Sequence, residues 1–84
     1  MHGIDWKNKA LKQLEKVDGQ ARKEIRTAVG GLVDWPNVSQ VKKLVNHEYG
    51  FRLRVGRYRV LFDVVDTVRI IRIEEVKKRD DRTY

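Results

Sequence analysis

The chain has 84 residues, 19 Lys and Arg against 12 Asp and Glu, and a net charge of +7, with no cysteine. A polypeptide this short supports one small core, read as a single domain over residues 1–84, and without thiols it has neither disulfides nor thiolate metal ligands to brace it. The opening MHGIDWKNKA lacks a secretory apolar run, and no segment is long enough to span a bilayer, so a cytoplasmic protein with no membrane partner is expected.

Ile4 and Trp6 alternate with polar neighbours and predict a short first strand. Ala10, Leu11, Leu14 and Val17 recur at helical spacing and predict a helix over roughly 7–17. Asp18 is an apt N-cap for a second helix, whose apolar stripe is Ala21, Ile25, Ala28, Val29 and Leu32 and whose end is set by Trp35-Pro36. Val41, Leu44 and Val45 carry no clear period. From Phe51 the period is two: strands are predicted at 51–55, 58–65 and 68–76, with turns at Gly56-Arg57 and Asp66-Thr67 and a bulge at Ile70-Ile71. Apolar residues on both faces of the 58–65 segment mark it as central. The fold class is α+β: an N-terminal strand and a helical hairpin packed on a small antiparallel β-sheet, with a polar tail from Lys77 to Tyr84. Trp6, Trp35, Tyr58 and Phe62 are assigned to the core.

The excess charge lies mostly in the second half, and there the basic residues are chiefly arginines on strands. A field of this sign favours polyanions or an acidic partner, and the guanidinium fork matches phosphate. Strand alternation sends Arg52 and Arg54 to one face, lets Arg59 join them past the turn, and brings Lys77, Lys78 and Arg79 to the sheet's end. Gathered cations repel one another, and a phosphodiester would relieve that repulsion. The plainer reading pairs Arg52, Arg54 and Arg59 with Asp63, Glu74 and Glu75, and takes Arg79-Asp80-Asp81-Arg82 as a solvated charge run. His47 and His2 read as surface residues with no metal-ligand spacing, and no Gly-rich loop suggests nucleotide hydrolysis.

The stretch Phe51-Arg-Leu-Arg-Val-Gly-Arg-Tyr-Arg-Val-Leu-Phe-Asp-Val64, the helical hairpin before it, and the Val-Lys-Lys-Arg…Tyr ending at 76–84 resemble the RelE/ParE toxin superfamily over nearly the whole chain. The Arg…Tyr ending resembles the RelE branch. That resemblance implies a RelE-like toxin of a type II toxin–antitoxin system: a metal-independent endoribonuclease that needs no cofactor. It would cleave mRNA, in the ribosomal A site, by attack of a 2′-hydroxyl on the adjacent phosphate, so inhibiting translation. It also implies a cognate antitoxin as partner. By position Arg52 and Arg54 fall where the family has two lysines, Arg59 on a phosphate-binding arginine, Arg79 on a second catalytic arginine, and Tyr84 on a tyrosine. These five are the catalytic candidates; Lys42, Lys43, Arg57, Lys77, Lys78 and Arg82 are the RNA-binding candidates. An arginine pKa above about 12 makes Arg52 and Arg54 phosphate holders rather than bases. The base is left open among Tyr84, His47, Glu48 and a ribosomal RNA group. The alternative within the superfamily is a ParE-like DNA gyrase inhibitor without RNA chemistry; a plain basic nucleic-acid-binding domain is a third reading.

Overall fold

The computed structural model describes residues 1–79. Its elements, in chain order, are β1 (Gly3–Trp6), α1 (Asn8–Glu15), α2 (Gly19–Gly30), a 3-10 turn (Gly31–Asp34), β2 (Val41–Lys43), β3 (Phe51–Val55), β4 (Tyr58–Val65) and β5 (Ile70–Lys78). The strands form one sheet in the order β1-β5-β4-β3-β2, with β4 at its centre. The fold is α+β, two helices on a five-stranded sheet.

Local chemistry accounts for the boundaries. The Asp18 carboxylate accepts the Ala21 N–H at 3.1 Å, capping α2. The β3–β4 hairpin turns on two residues, and Gly56 sits there at φ +55°, a conformation that a Cβ disfavours. Arg69, also at positive φ, closes the β4–β5 turn.

The sheet departs from expectation in three places. It is mixed, because β1 runs parallel to β5, with Gly3 opposite Ile70 and Trp6 opposite Ile73. The bulge lies between Ile73 and Glu75, which face Phe62 and Leu61, and leaves Glu74 as the extra residue; Ile70 and Ile71 pair regularly with Val65 and Val64. The third meander strand starts at Ile70 and continues to Lys78, so Lys77 and Lys78 belong to the sheet rather than to a tail. Val41, without a period of its own, heads the edge strand β2 opposite Leu53.

Register divides the sheet into two faces. Val41, Leu53, Val60 and Val76 form one row of the helix-facing side, and Phe51, Phe62, Ile73 and Trp6 form the next. These pack on Ala10, Leu14, Ile25, Val29 and Leu32, all essentially fully buried. Phe62 stacks on Phe51 at 5.5 Å between ring centroids, and Trp35 meets both edge-on at 4.8 and 5.7 Å. The free edge of β5 beyond β1 is covered by α1, where the Gln13 side-chain oxygen accepts the Val76 N–H at 2.7 Å.

Candidate functional site

The opposite face of the sheet carries the charge. Its rows are Lys42, Arg52, Leu61, Glu75; then Arg54, Arg59, Lys77; and, toward the other end, Asp63, Arg72, Asp5. The alternation that buries Leu53 and Val60 thus forces Arg52, Arg54 and Arg59 onto one surface.

At the centre of this face is a cavity of about 90 Å3 lined by Arg52, Arg59, Lys77, His47, Leu44 and Leu61. Leu61 is only 4% exposed although it points away from the helices, so the cations surround an apolar floor that weakens dielectric screening. The Nε atoms of Arg52 and Arg59 are buried and lack a hydrogen-bond partner among the described residues. Nor, among the described residues, does any arginine form an ion pair there; of the carboxylates expected to neutralise them, Glu75 pairs with Lys9 and Lys77, and Asp63 accepts the Gly50 N–H.

Glu75 shows where one of those carboxylates goes. Its side chain is 7% exposed, 3.3 Å from the Lys9 ammonium and 3.9 Å from that of Lys77. Burial pushes its pKa up, but hydrogen bonds from Lys9 and Gln13, the Lys77 charge and the Tyr49 hydroxyl outweigh it, and the group is held below the usual glutamate range. It is a buried, ionised anchor that steers Lys77 along the cavity wall. Tyr49, facing it, has its phenol pushed up to about 12 by burial and by the hydrogen bond to Glu75, so it stays neutral at physiological pH.

Asp63 holds the loop above the cavity. Its Oδ1 accepts the Gly50 N–H at 2.6 Å, and a Cβ on residue 50 would come within 3.2 Å of that oxygen. In the same loop, His47 Nδ1 accepts the Tyr49 N–H at 3.0 Å. The neutral imidazole therefore carries its proton on Nε2 and acts as a donor at that atom. Among the described residues no three His, Cys, Asp or Glu side chains gather closely enough to hold a metal ion.

The structure thus brings together Arg52, Arg59 and Lys77 and adds His47, which sequence spacing alone marked as a surface residue. Arg54 lies opposite Arg59 on the same face but outside the cavity, beside a groove formed by Ala28, Leu32, Val38 and Leu53. Arg79 follows Lys77 and donates its backbone N–H to the Arg57 carbonyl at 2.6 Å, at the sheet's end. Lys42 is cross-strand from Arg52; Lys43, one residue on, belongs to the other face. Arg57 and Lys78 do not join the cluster: both line a groove with Asp18 and Glu24 on the helix side, because Lys78 pairs with Tyr58. Arg82 and Tyr84 lie outside the described residues.

A family model described as the ParE toxin of type II toxin–antitoxin systems matches residues 4–82. No curated protein matches the chain. Among solved structures, the isolated RelE toxin of E. coli superposes with a TM-score of 0.81 at 18% identity, covering 95% of this chain and 86% of that one. The toxin–antitoxin complex RelBE2 of Mycobacterium tuberculosis gives 0.78 at 21% identity, with 93% and 98% covered, and the archaeal RelE–RelB complex of Pyrococcus horikoshii gives 0.76 at 20%, with 95% and 97% covered. At these identities the structures establish the shared fold, and the family model covers nearly all of the sequence: the chain belongs to the ParE toxin family of type II toxin–antitoxin systems, within the RelE/ParE superfamily.

Proposed function

We propose that this chain is an endoribonuclease toxin that cleaves mRNA, in the ribosomal A site, without a metal ion. The observation that carries this reading is the cavity itself: two arginines with buried, unpartnered Nε atoms and a lysine converge over an apolar floor, with no carboxylate paired to the arginines among the described residues. An uncompensated cluster of this kind costs folding energy, and a bound phosphodiester relieves it.

In the proposed reaction Arg52 and Arg59 grip the non-bridging oxygens of the scissile phosphate, with Lys77 beside them. The ribose 2′-hydroxyl gives up its proton to a base, for which Tyr84, Glu48 and a ribosomal RNA group are the candidates, as its oxygen attacks phosphorus. The bond to the 5′-oxygen breaks, that oxygen takes up a proton from water, and the products are a 2′,3′-cyclic phosphate and a 5′-hydroxyl. The attack adds negative charge to the phosphorane, and fixed guanidinium groups in a partly dehydrated site stabilise it more than the ground state. The His47 Nε2–H donates to a phosphate oxygen. Tyr49 is not the base, since its phenol is held neutral, and Glu75 is tied up by Lys9 and Gln13. Arg54, Arg79, Lys42 and Arg82 extend the positive field along the RNA, with Tyr84 placed by the family likeness at the substrate; Lys43, Arg57 and Lys78, on the helix side, stand off this path.

The same reading places the protein in the cytoplasm with a cognate antitoxin, as in the RelB complexes of its structural relatives. The groove between α2 and β3, about 240 Å3 and lined by Ala28, Leu32, Val38 and Leu53 with Arg54 at its rim, suits an amphipathic segment of acidic character. Among the described residues, no helix is long and apolar enough to cross a membrane.

The test is inducible expression followed by mapping of transcript ends, with gyrase supercoiling assays run in parallel. Growth arrest with new 5′-hydroxyl ends supports the nuclease; intact transcripts with blocked gyrase establish the alternative.

A further inference from the structure

A second, larger cavity adjoins the basic one. It measures about 410 Å3, within the range of small-ligand clefts, and is lined by Tyr49, Glu74, Asp5, Asn8, Lys7 and Lys9, with Trp6 behind them. The two cavities have no lining residue in common but are joined through neighbouring side chains. Lys77 of the first contacts Glu75, which contacts Lys9 of the second. Tyr49 of the second donates its backbone N–H to His47 of the first, and their rings lie 6.0 Å apart. A nucleotide attached to a phosphate held by Arg52 and Arg59 therefore has this cavity beside it.

Resting on the nuclease reading, we propose that this second cavity binds the nucleobase next to the scissile phosphate, and that Glu74 selects a base whose Watson–Crick edge offers N–H donors, guanine best. Tyr49 supplies the stacking surface: its ring lines the cavity, and its backbone N–H is held by His47 Nδ1. Glu74 is the extra residue of the β5 bulge, a device that re-aims a side chain out of the regular alternation. It makes no ion pair among the described residues. A carboxylate beside an RNA path repels phosphates, so it favours binding only by accepting donors from the base. Guanine offers two adjacent ones, N1–H and N2–H, to its two oxygens; cytosine and adenine offer an amino group, while uracil offers a single N3–H flanked by two carbonyl oxygens that repel a carboxylate. Lys7 and Lys9 at the rim offset the local negative charge and face the flanking phosphate. Burial and the Asp63 charge push Glu74 up, while Arg72 and Lys7 pull it down, so this selectivity should fade on acidification sooner than an ordinary glutamate would allow.

The alternative is a solvated acid that balances Lys7 and Lys9, which predicts equal affinity for every base. Fluorescence anisotropy on labelled tetranucleotides distinguishes them. Each probe is 2′-O-methylated to block cleavage and carries guanine, inosine, adenine, cytosine or uracil on either side of each phosphate. Wild-type protein should bind the best guanine probe about tenfold more tightly than its uracil counterpart, with inosine in between, since a hydrogen bond to a charged group is worth about that factor. Glu74→Gln should flatten the series, and Tyr49→Leu should weaken all probes about tenfold without reordering them. Equal binding of all probes by wild type, or a guanine preference that survives Glu74→Gln, overturns the proposal. The guanine-to-inosine ratio needs no variant, so a misfolded mutant leaves the test intact. Cleavage is scored separately, on mRNA in the A site of programmed ribosomes. Guanine-selective binding without cleavage removes the nuclease reading and keeps the base site; cleavage without base preference does the reverse.

Discussion

The two faces of the sheet obey one alternation and opposite energetics. On the helix side Leu53, Val60, Phe62, Ile71 and Ile73 are at most 4% exposed, and each contributes by leaving water. On the open side Arg52, Arg59 and Arg72 keep buried Nε atoms without partners, which folding alone does not reward. One face is stable because its groups are satisfied; the other is reactive because its groups are not. Such unsatisfied polar groups are where function is to be sought.

That contrast can be broken from either side. The largest stability loss should come from Phe62→Ala, which empties a site packed by Phe51 and Trp35 and should cost about 3–5 kcal/mol in denaturant unfolding, much of a small domain's margin. Glu75→Gln, on the charged face, should cost less, about 1–3 kcal/mol, by weakening the bonds with Lys9, Lys77 and Gln13. Because folding lowers the Glu75 pKa, its contribution is complete above the ordinary glutamate value of about 4.3 and is lost as pH falls through the lower folded value, so acid titration should destabilise wild type but scarcely affect the variant. Asp63→Ala should remove about 1–2 kcal/mol with the Gly50 bond and, by freeing the loop that carries His47, should lower RNA cleavage while the core stays folded. Asp18→Ala removes only the α2 cap, about 1 kcal/mol, and should leave cleavage unchanged.

The helix-side face was legible because burial imprints a period. Ile25, Val29 and Leu32 trace a helix, and Leu53 and Phe62 trace strands, without knowledge of their partners. The arginine face followed from the same period, since a residue between two core positions must point outward. Nonlocal pairing hid the rest. Nothing near Ile4 says that β1 lies parallel to β5, and three residues of β2 are too few for a pattern. The bulge was misplaced at Ile70-Ile71 because adjacent apolar residues mimic one; its true site at Glu74 shows only against Leu61 and Phe62. Tyr49 went unmarked because a loop has no period, and the parts played by His47, read as a surface residue or a possible base, and by Asp63, read as an arginine partner, arise from the His47–Tyr49 and Asp63–Gly50 hydrogen bonds. Lys78, equally basic in sequence, falls on the helix side through alternation, and Arg57 joins it there from the β3–β4 turn.

The most direct measurement is the single-turnover rate of RNA cleavage, on programmed ribosomes, by Arg59→Ala beside wild type and Arg54→Ala, with unfolding curves for each. Removing a charged contact made in the transition state costs about 100-fold or more. The account predicts such a loss for Arg59, which lines the cavity, a smaller one for Arg54, which does not, and no loss of stability for either. A folded Arg59→Ala protein that still cuts at the wild-type rate would contradict it.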